Sequence, residues 1–177
     1  MVIIKKSDFI LRPLHISDLK AYYETMQDEE TKKGFRSTPK SLEEARIEVK
    51  EYIKKSKTKA TEATEVFTIE IDGKYAGNMR LDYQDYDLKS DKGRVHLWIH
   101  PHFRGKGLAT KALNALMEYA FNERNFNILY GQSKVSNKAV TKVFNKLGFK
   151  LEKIHTVDGV KKHWWSLENF AKVGKVL

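Results

Sequence analysis

A short segment with two glycines and two basic residues lies between a strand-like run and a helical pattern, and this spacing suits an anion. The segment is FRGKG, residues 103–107. Gly105 and Gly107 can adopt positive φ without a steric penalty, which permits a sharp bend and leaves the backbone accessible. The first amides of the following helix have no intrahelical acceptor and carry the positive end of its dipole. The segment therefore predicts a cradle for a pyrophosphate, to which Arg104 and Lys106 add positive charge.

The sequence excludes two common phosphate-binding motifs. The sequence has no G-x-x-x-x-G-K-[ST] run, which excludes a Walker loop. A dinucleotide fingerprint needs a third small residue where Thr110 stands, and no acidic strand end follows at the required distance. A plain glycine turn between a strand and a helix is the simpler interpretation. The agreement of the strand, Pro101, the basic residues and the helix start favours the cradle.

A histidine on the preceding strand is the candidate general base. His96 alternates with apolar residues in the run VHLWIH, and imidazole titrates near neutral pH. A packed or surface histidine is the structural alternative. His96, His100 and His102 share parity, but Pro101 interrupts the strand and no carboxylate is adjacent, so no metal site is predicted.

Composition limits the class of protein. The chain has 177 residues, no cysteine and a formal net charge of +10. The absence of cysteine excludes disulfides, thiolate metal sites and a cysteine nucleophile. No apolar run is long enough to cross a membrane, so a cytoplasmic protein without membrane contact is expected, with one domain over residues 1–177. The charge attracts nucleic acid, phosphorylated cofactors or acidic proteins, although a solubilising lysine coat is an equal alternative.

The elements that must position these residues alternate in type along the chain. The predicted order is a strand, two helices, three strands, a helix, a strand, a helix and two strands. Asp72-Gly73 and Asp158-Gly159 predict hairpin turns, and residues 84–93 read as a polar loop. Helix starts are predicted at Ser17, at a Ser41–Glu44 capping box and at Gly107. This order predicts a mixed α/β (α+β) domain, largely antiparallel, with one strand–helix–strand crossover.

Two segments resemble the signatures of the GNAT N-acetyltransferases. FRGKGLA is similar to the acetyl-CoA signature Arg/Gln-x-x-Gly-x-Gly/Ala, with Arg104, Gly107 and Ala109 at its defined positions. NKAVTKVFNKLGF, residues 137–149, resembles the second signature, an Asn followed by a short helix that ends in Gly-Phe. The chain as a whole is similar to the branch that contains ribosomal-protein N-terminal acetyltransferases and spermidine acetyltransferases.

The resemblance implies a fold and a cofactor site. The expected fold is a mixed, mostly antiparallel twisted sheet with helices on both faces, splayed between VHLWIH and NILYGQSKV. Acetyl-CoA would lie in the splay, with its pyrophosphate on the amides of residues 104–109 and its pantetheine arm along residues 97–99. The implied cofactor-binding residues are Leu97, Trp98, Ile99, Arg104, Gly105, Lys106, Gly107, Leu108, Ala109, Thr110, Asn137 and Phe144.

The resemblance also implies direct attack of an amine on the thioester, without a metal or an enzyme nucleophile. A backbone N–H near Trp98 or Ile99 would stabilise the oxyanion. Many relatives carry a Tyr seven residues after the signature Asn, or a Ser three residues after it. Here those positions hold Phe144 and Val140, so neither acid carries over. Solvent, Tyr130 and Tyr83 are the remaining candidates for protonating the thiolate.

The acceptor is expected to be a primary amine. The net positive charge disfavours a polyamine and favours a protein or peptide N-terminus, or a small amine with acidic groups. Contact with nucleic acid is expected only indirectly, and the protein is expected to be a monomer or a homodimer. Two alternatives stay open: a basic nucleic-acid-associated module, and a non-catalytic acetyl-CoA sensor that the missing acids would explain.

Overall fold

The structure is a computed structural model that describes residues 2–57, 64–83 and 90–169. Most of the predicted 84–93 loop lies outside these ranges. The strands are β1 (Ile4–Lys5), β2 (Ile10–Pro13), β3 (Thr64–Ile71), β4 (Lys74–Tyr83), β5 (Lys92–Ile99), β6 (Ile128–Lys134), β7 (Lys150–Val157) and β8 (Val160–Glu168). The α-helices are α1 (Leu19–Gln27), α2 (Glu29–Gly34), α3 (Leu42–Lys57), α4 (Leu108–Asn122) and α5 (Lys138–Lys146).

The strands form one sheet whose order is β1-β2-β3-β4-β5-β6-β8-β7. Neighbouring strands are antiparallel except β5 and β6, which are parallel and joined through α4. The predicted mixed, mostly antiparallel sheet with one crossover is therefore confirmed. Both predicted hairpin turns are also present, and Asp72 and Asp158 take positive φ at their first turn positions, as such turns require.

Helices cover both faces of the sheet, as predicted, and they create two hydrophobic cores. The larger core packs α4 and α5 against one face, with Leu113, Leu116 and Leu129 almost fully buried. The smaller core packs α1 and α3 against the other face and includes Trp98, which is 5% exposed. Strand β5 is thus buried on both faces near its end, which fixes the position of the backbone that follows it.

The predicted N-cap at Ser17 is wrong. Ser17 lies inside a single 3-10 turn, Ile16–Asp18, and the cap is His15. The Asp18 carboxylate accepts a hydrogen bond from the His15 backbone N–H at 3.0 Å and also binds Arg12 at 2.8 Å. Because this buried ion pair holds Asp18 in place, the turn forms around Asp18, and α1 begins after it.

The predicted Ser41–Glu44 capping box forms only in part. The Ser41 hydroxyl accepts a hydrogen bond from the Glu44 N–H at 3.1 Å, as expected. The Glu44 carboxylate accepts instead from the Lys40 N–H at 2.7 Å. The first turn of α3 is therefore stabilised from one residue further upstream than the pattern indicates.

Gly131 on β6 gives a stability prediction, because the Phe144 ring of α5 packs against its backbone. A Cβ atom added at Gly131 would lie 2.3 Å from Phe144 Cζ. We expect Gly131→Ala to lower the free energy of unfolding by about 1–3 kcal/mol, the usual cost of overpacking a core. Urea unfolding measures it, and adding Phe144→Leu should recover part of the loss. A Gly131→Ala protein as stable as the wild type would contradict this packing.

Candidate active site

Strands β5 and β6 separate after a short paired stretch. Their ladder joins three residue pairs, from Lys92–Ile128 to Arg94–Tyr130. Beyond Arg94, β5 continues to Ile99 paired only with β4. The backbone of residues 95–99 therefore has an open edge toward β6, at the position where the sequence predicts a splay. Such an edge can pair with an extended ligand as with another strand.

The segment between β5 and α4 forms a bend with exposed amides. Gly105 and Gly107 have φ of 78° and 76°, and α4 begins at Leu108 without a side-chain cap. Among the described residues, none accepts a hydrogen bond from the N–H groups of residues 105–110. No heavy atom lies within 4 Å of a Cβ added at either glycine. Residues 105–110, called the amide cradle below, thus fit a bound pyrophosphate.

Arg104 lies at the edge of the amide cradle, but its groups are used within the protein. Its N–H donates to Pro101 O at 3.3 Å, and its Nε donates to Ile99 O at 3.0 Å. Its Nη2 donates to Asp28 Oδ2 at 2.6 Å and to Thr31 Oγ1 at 2.7 Å. Burial by itself would raise the pKa of Asp28, but the hydrogen bonds from Arg104 and Thr31 hold that pKa below its usual value. Arg104 therefore joins the end of β5 to the start of α2.

Helix α2 was not predicted, although the sequence carries its signals. Asp28 accepts a hydrogen bond from the Thr31 N–H at 2.9 Å and is its N-cap. Two acidic residues follow in its first turn and two lysines occupy its last turn, as the helix dipole favours. The segment is only six residues long, so it contains too few apolar residues to show a periodic stripe.

The remaining predicted cofactor residues divide into exposed groups and core groups. Lys106 is exposed, and Ala109 and Thr110 are partly exposed on the first turn of α4. Leu108 and Phe144 are buried in the larger core, so only the backbone of Leu108 belongs to the amide cradle. The side chain of Asn137 caps α5 by accepting from the Val140 N–H at 3.1 Å.

His96 lies on β5 beside a buried ion pair that sequence reasoning missed. Its Nε2 is 3.0 Å from Asp82 Oδ2 and 3.0 Å from Arg80 Nη2, and its side chain is 31% exposed. Burial lowers the pKa of His96, and the hydrogen bond to Asp82 opposes that effect. With its hydrogen on Nδ1, the imidazole would accept from Arg80 at Nε2; with its hydrogen on Nε2, it donates to Asp82 and keeps Nδ1 as a proton acceptor. This arrangement suits a general base.

The two tyrosine candidates differ in position. Tyr130 pairs in register with Arg94, so it shares a sheet face with Arg94 and His96. Tyr83 is buried in the larger core, with its ring against Phe126, and its hydroxyl donates to Glu65 Oε1 at 3.4 Å. Burial raises the pKa of Tyr83 to about 12. Of the two, only Tyr130 lies on the face that carries His96.

An aromatic side chain with basic neighbours lies on the far side of the splay. The Trp164 ring contacts Tyr130 and His155, with centroid distances of 5.5 Å and 5.8 Å. Arg94 and Lys153 carry cations 5.8 Å and 5.7 Å from the centroid of the same ring. We call these five residues the Trp164 wall. All five are at least partly exposed, so the wall is available to a ligand.

The β7–β8 hairpin approaches the segment that follows α2. Asp158 at the hairpin turn is 3.5 Å from Arg36 Nε. The neighbouring Phe35 packs edge-on against Trp98, with centroids 5.5 Å apart. The segment after α2 therefore contacts β5 through Phe35 and Trp98, and the β7–β8 turn through Arg36 and Asp158.

The described residues contain neither a cluster that could hold a metal ion nor a helix that could span a membrane. No group of three or more His, Cys, Asp or Glu side chains there is placed to hold a metal ion. None of the described helices is long and apolar enough to cross a bilayer.

A family model described as an acetyltransferase (GNAT) domain matches residues 8–150. Over 86 residues the chain is 33% identical to the spermidine N(1)-acetyltransferase of Escherichia coli K12, a match that covers 49% of this chain and 45% of that protein. The chain thus spans about half the length of the curated relatives it matches.

Solved structures share the fold at low sequence identity. RimL, a ribosomal L7/L12 alpha-N-protein acetyltransferase in complex with coenzyme A, superposes with a TM-score of 0.81 at 17% identity, over 94% of this chain and 98% of that one. An acetyl transferase from Salmonella typhimurium, which modifies the N-terminal serine of L7/L12, gives 0.80 at 18% identity, over 95% and 99%. At these identities the likeness establishes the fold.

Proposed function

The chain belongs to the GNAT acetyltransferase family, and on this premise we propose that it transfers the acetyl group of acetyl-CoA directly to a primary amine. The favoured acceptor is a protein or peptide N-terminus, and a small-molecule amine is the alternative. One observation carries the proposal: the amide cradle lies directly after the open edge of β5. The proposal includes a cytoplasmic location, which the cysteine-free composition favours.

The chain offers complementary groups for each part of acetyl-CoA. The amide cradle and Lys106 would bind the pyrophosphate, as the start of a helix binds anions generally. The open backbone edge of residues 97–99 would hydrogen-bond the amides of the pantetheine arm. Asn137 and Phe144 would lie near that arm, on the α5 side. When bound, acetyl-CoA supplies the thioester carbon to which the amine nitrogen bonds as the carbon–sulfur bond breaks.

The protein residues would manage protons and charge. An N-terminal ammonium has a pKa of about 7.7–8.0 and a lysine-type ammonium one of about 10.4, so at neutral pH the amine must lose a proton before it can react. His96 accepts that proton on Nδ1 while Asp82 holds its Nε2–H. A backbone N–H near Trp98 or Ile99 would donate to the oxyanion, and Tyr130 would protonate the departing thiolate.

Thiol release from acetyl-CoA tests the proposed function. N-terminal peptides, lysine peptides, polyamines and aminoglycosides would be compared at pH 7 to 8, with acetyl-CoA binding measured separately by calorimetry. We expect thiol release above the acceptor-free rate with N-terminal peptides. Binding without release for any amine would favour the sensor alternative. Failure to bind acetyl-CoA would overturn the assignment of the amide cradle.

A further inference from the structure

The Trp164 wall carries two cations beside the candidate base. Among the described residues, no carboxylate lies within ion-pair distance of Arg94 or Lys153. Strand order places the two cations on opposite sides of Trp164, because Arg94 comes from β5 and Lys153 from β7. The wall is therefore a partly exposed aromatic surface with a cation on each flank.

Neighbouring charges on this sheet face do not cancel the cations. Lys134 and Lys162 pair with each other in register and extend the positive face toward the hairpin turn. Glu152 is held by a hydrogen bond from the Ser166 hydroxyl at 2.5 Å, and Glu168 lies at the far end of β8, opposite Ile128. The wall thus faces the splay with a net positive charge.

Three acidic residues around the splay are already paired. Asp28 binds Arg104 at 2.6 Å, and Asp158 faces Arg36 at 3.5 Å. Asp82 is the cross-strand partner of Arg94, but its carboxylate is bound by Arg80, His96 and Thr64. A second cationic group in the acceptor would consequently find no unpaired carboxylate among these residues, whereas an acidic group would find Arg94.

Strand geometry relates the wall to the reacting amine. Arg94 and His96 are two residues apart on one face of β5, a spacing of about 6.6 Å along the strand. An extended acceptor advances by a similar distance over two residues. An amine placed at His96 would therefore bring the second or third residue of a peptide to the reach of Arg94.

We infer that the acceptor is a protein or peptide N-terminus with Asp or Glu at its second or third residue, whose carboxylate binds Arg94 beside Trp164. This inference rests on the proposed acetyl transfer and names its substrate class. Guanidinium groups bind carboxylates through paired, charge-assisted hydrogen bonds, and Lys153 adds to the attraction from the far side of the ring. Tyr130 and Trp164 provide the apolar surface on which the peptide backbone lies.

The test compares matched peptides that differ only by Glu or Gln at the second and third residues. For the wild type we expect kcat/KM for thiol release to be about tenfold higher with the Glu peptides, with the ratio falling as salt is added. In Arg94→Glu the preference should disappear, and a peptide with Lys at the same positions should become the better acceptor. Because each ratio compares two acceptors on one enzyme, any effect of Arg94 on His96 cancels.

A matched control separates the effect of the charge at Arg94 on acceptor preference from the effect of the protein's net charge. Lys161 is exposed on β8, on the opposite face from Trp164, and Lys161→Glu changes the net charge by the same amount. That variant should keep the wild-type ratio. Equal rates with Glu and Gln peptides in the wild type would overturn the inference and leave the proposed acetyl transfer standing. Transfer to polyamines alone would have the same consequence. No transfer to any acceptor would overturn both proposals.

Discussion

An aspartate in place of Gly107 is expected to lower the affinity for acetyl-CoA by at least about a hundredfold. The added carboxylate would lie at the start of α4, within the amide cradle proposed to bind the pyrophosphate. Two like charges about 4 Å apart repel by roughly 4 kcal/mol at an effective dielectric constant near 20. That repulsion alone corresponds to a loss of affinity of more than about a hundredfold. Isothermal calorimetry with acetyl-CoA measures the effect directly.

The substitution is also compatible with folding, which makes the result interpretable. Gly107 has φ of 76°, a conformation that aspartate adopts more readily than most residues, and a Cβ there meets no heavy atom within 4 Å. Gly73, in the β3–β4 turn, has φ of 73° and equally open surroundings. Gly73→Asp therefore introduces the same strain and charge, and it should leave acetyl-CoA affinity within about twofold. Equal acetyl-CoA affinities in the two variants would show that the pyrophosphate does not bind at the amide cradle.

The amide cradle could be predicted from the sequence because every part of it is local. Gly105 and Gly107 take positive φ, and the helix begins one residue after the second glycine. The hairpin turns at Asp72-Gly73 and Asp158-Gly159 were predictable for the same reason. In each case a few adjacent residues determine the backbone conformation, so no knowledge of distant partners is required.

The side-chain partners around the site could not be predicted, because they depend on contacts between distant segments. Arg104 reads as an anion ligand in its motif, but its guanidinium reaches Asp28, 76 residues earlier. The Asp82–His96 contact depends on the β4–β5 register, in which Arg80 pairs with His96. Register follows from packing over whole strands, and a shift of one residue would place Asp82 on the opposite face.

The second large effect is expected at His96. Replacing it with glutamine should lower kcat/KM by about a hundredfold or more, since general-base catalysis typically contributes that much. The glutamine amide can still donate to Asp82, so acetyl-CoA affinity and the free energy of unfolding should change little. Steady-state thiol release with a saturating peptide acceptor gives the rate, and calorimetry provides the binding control. A variant that kept the wild-type rate would exclude His96 as the base.

The pH dependence of kcat/KM distinguishes a base from a residue that only packs. A base must be neutral to act, and burial lowers the pKa of His96, so activity should persist below the ordinary histidine pKa of about 6.5 before it falls. The hydrogen bond to Asp82 opposes that lowering, because a carboxylate favours the imidazolium. Asp82→Asn should therefore move the acidic limb to still lower pH, while His96→Gln should remove the limb. An acidic limb that stayed in place in both variants would assign the proton transfer to another group.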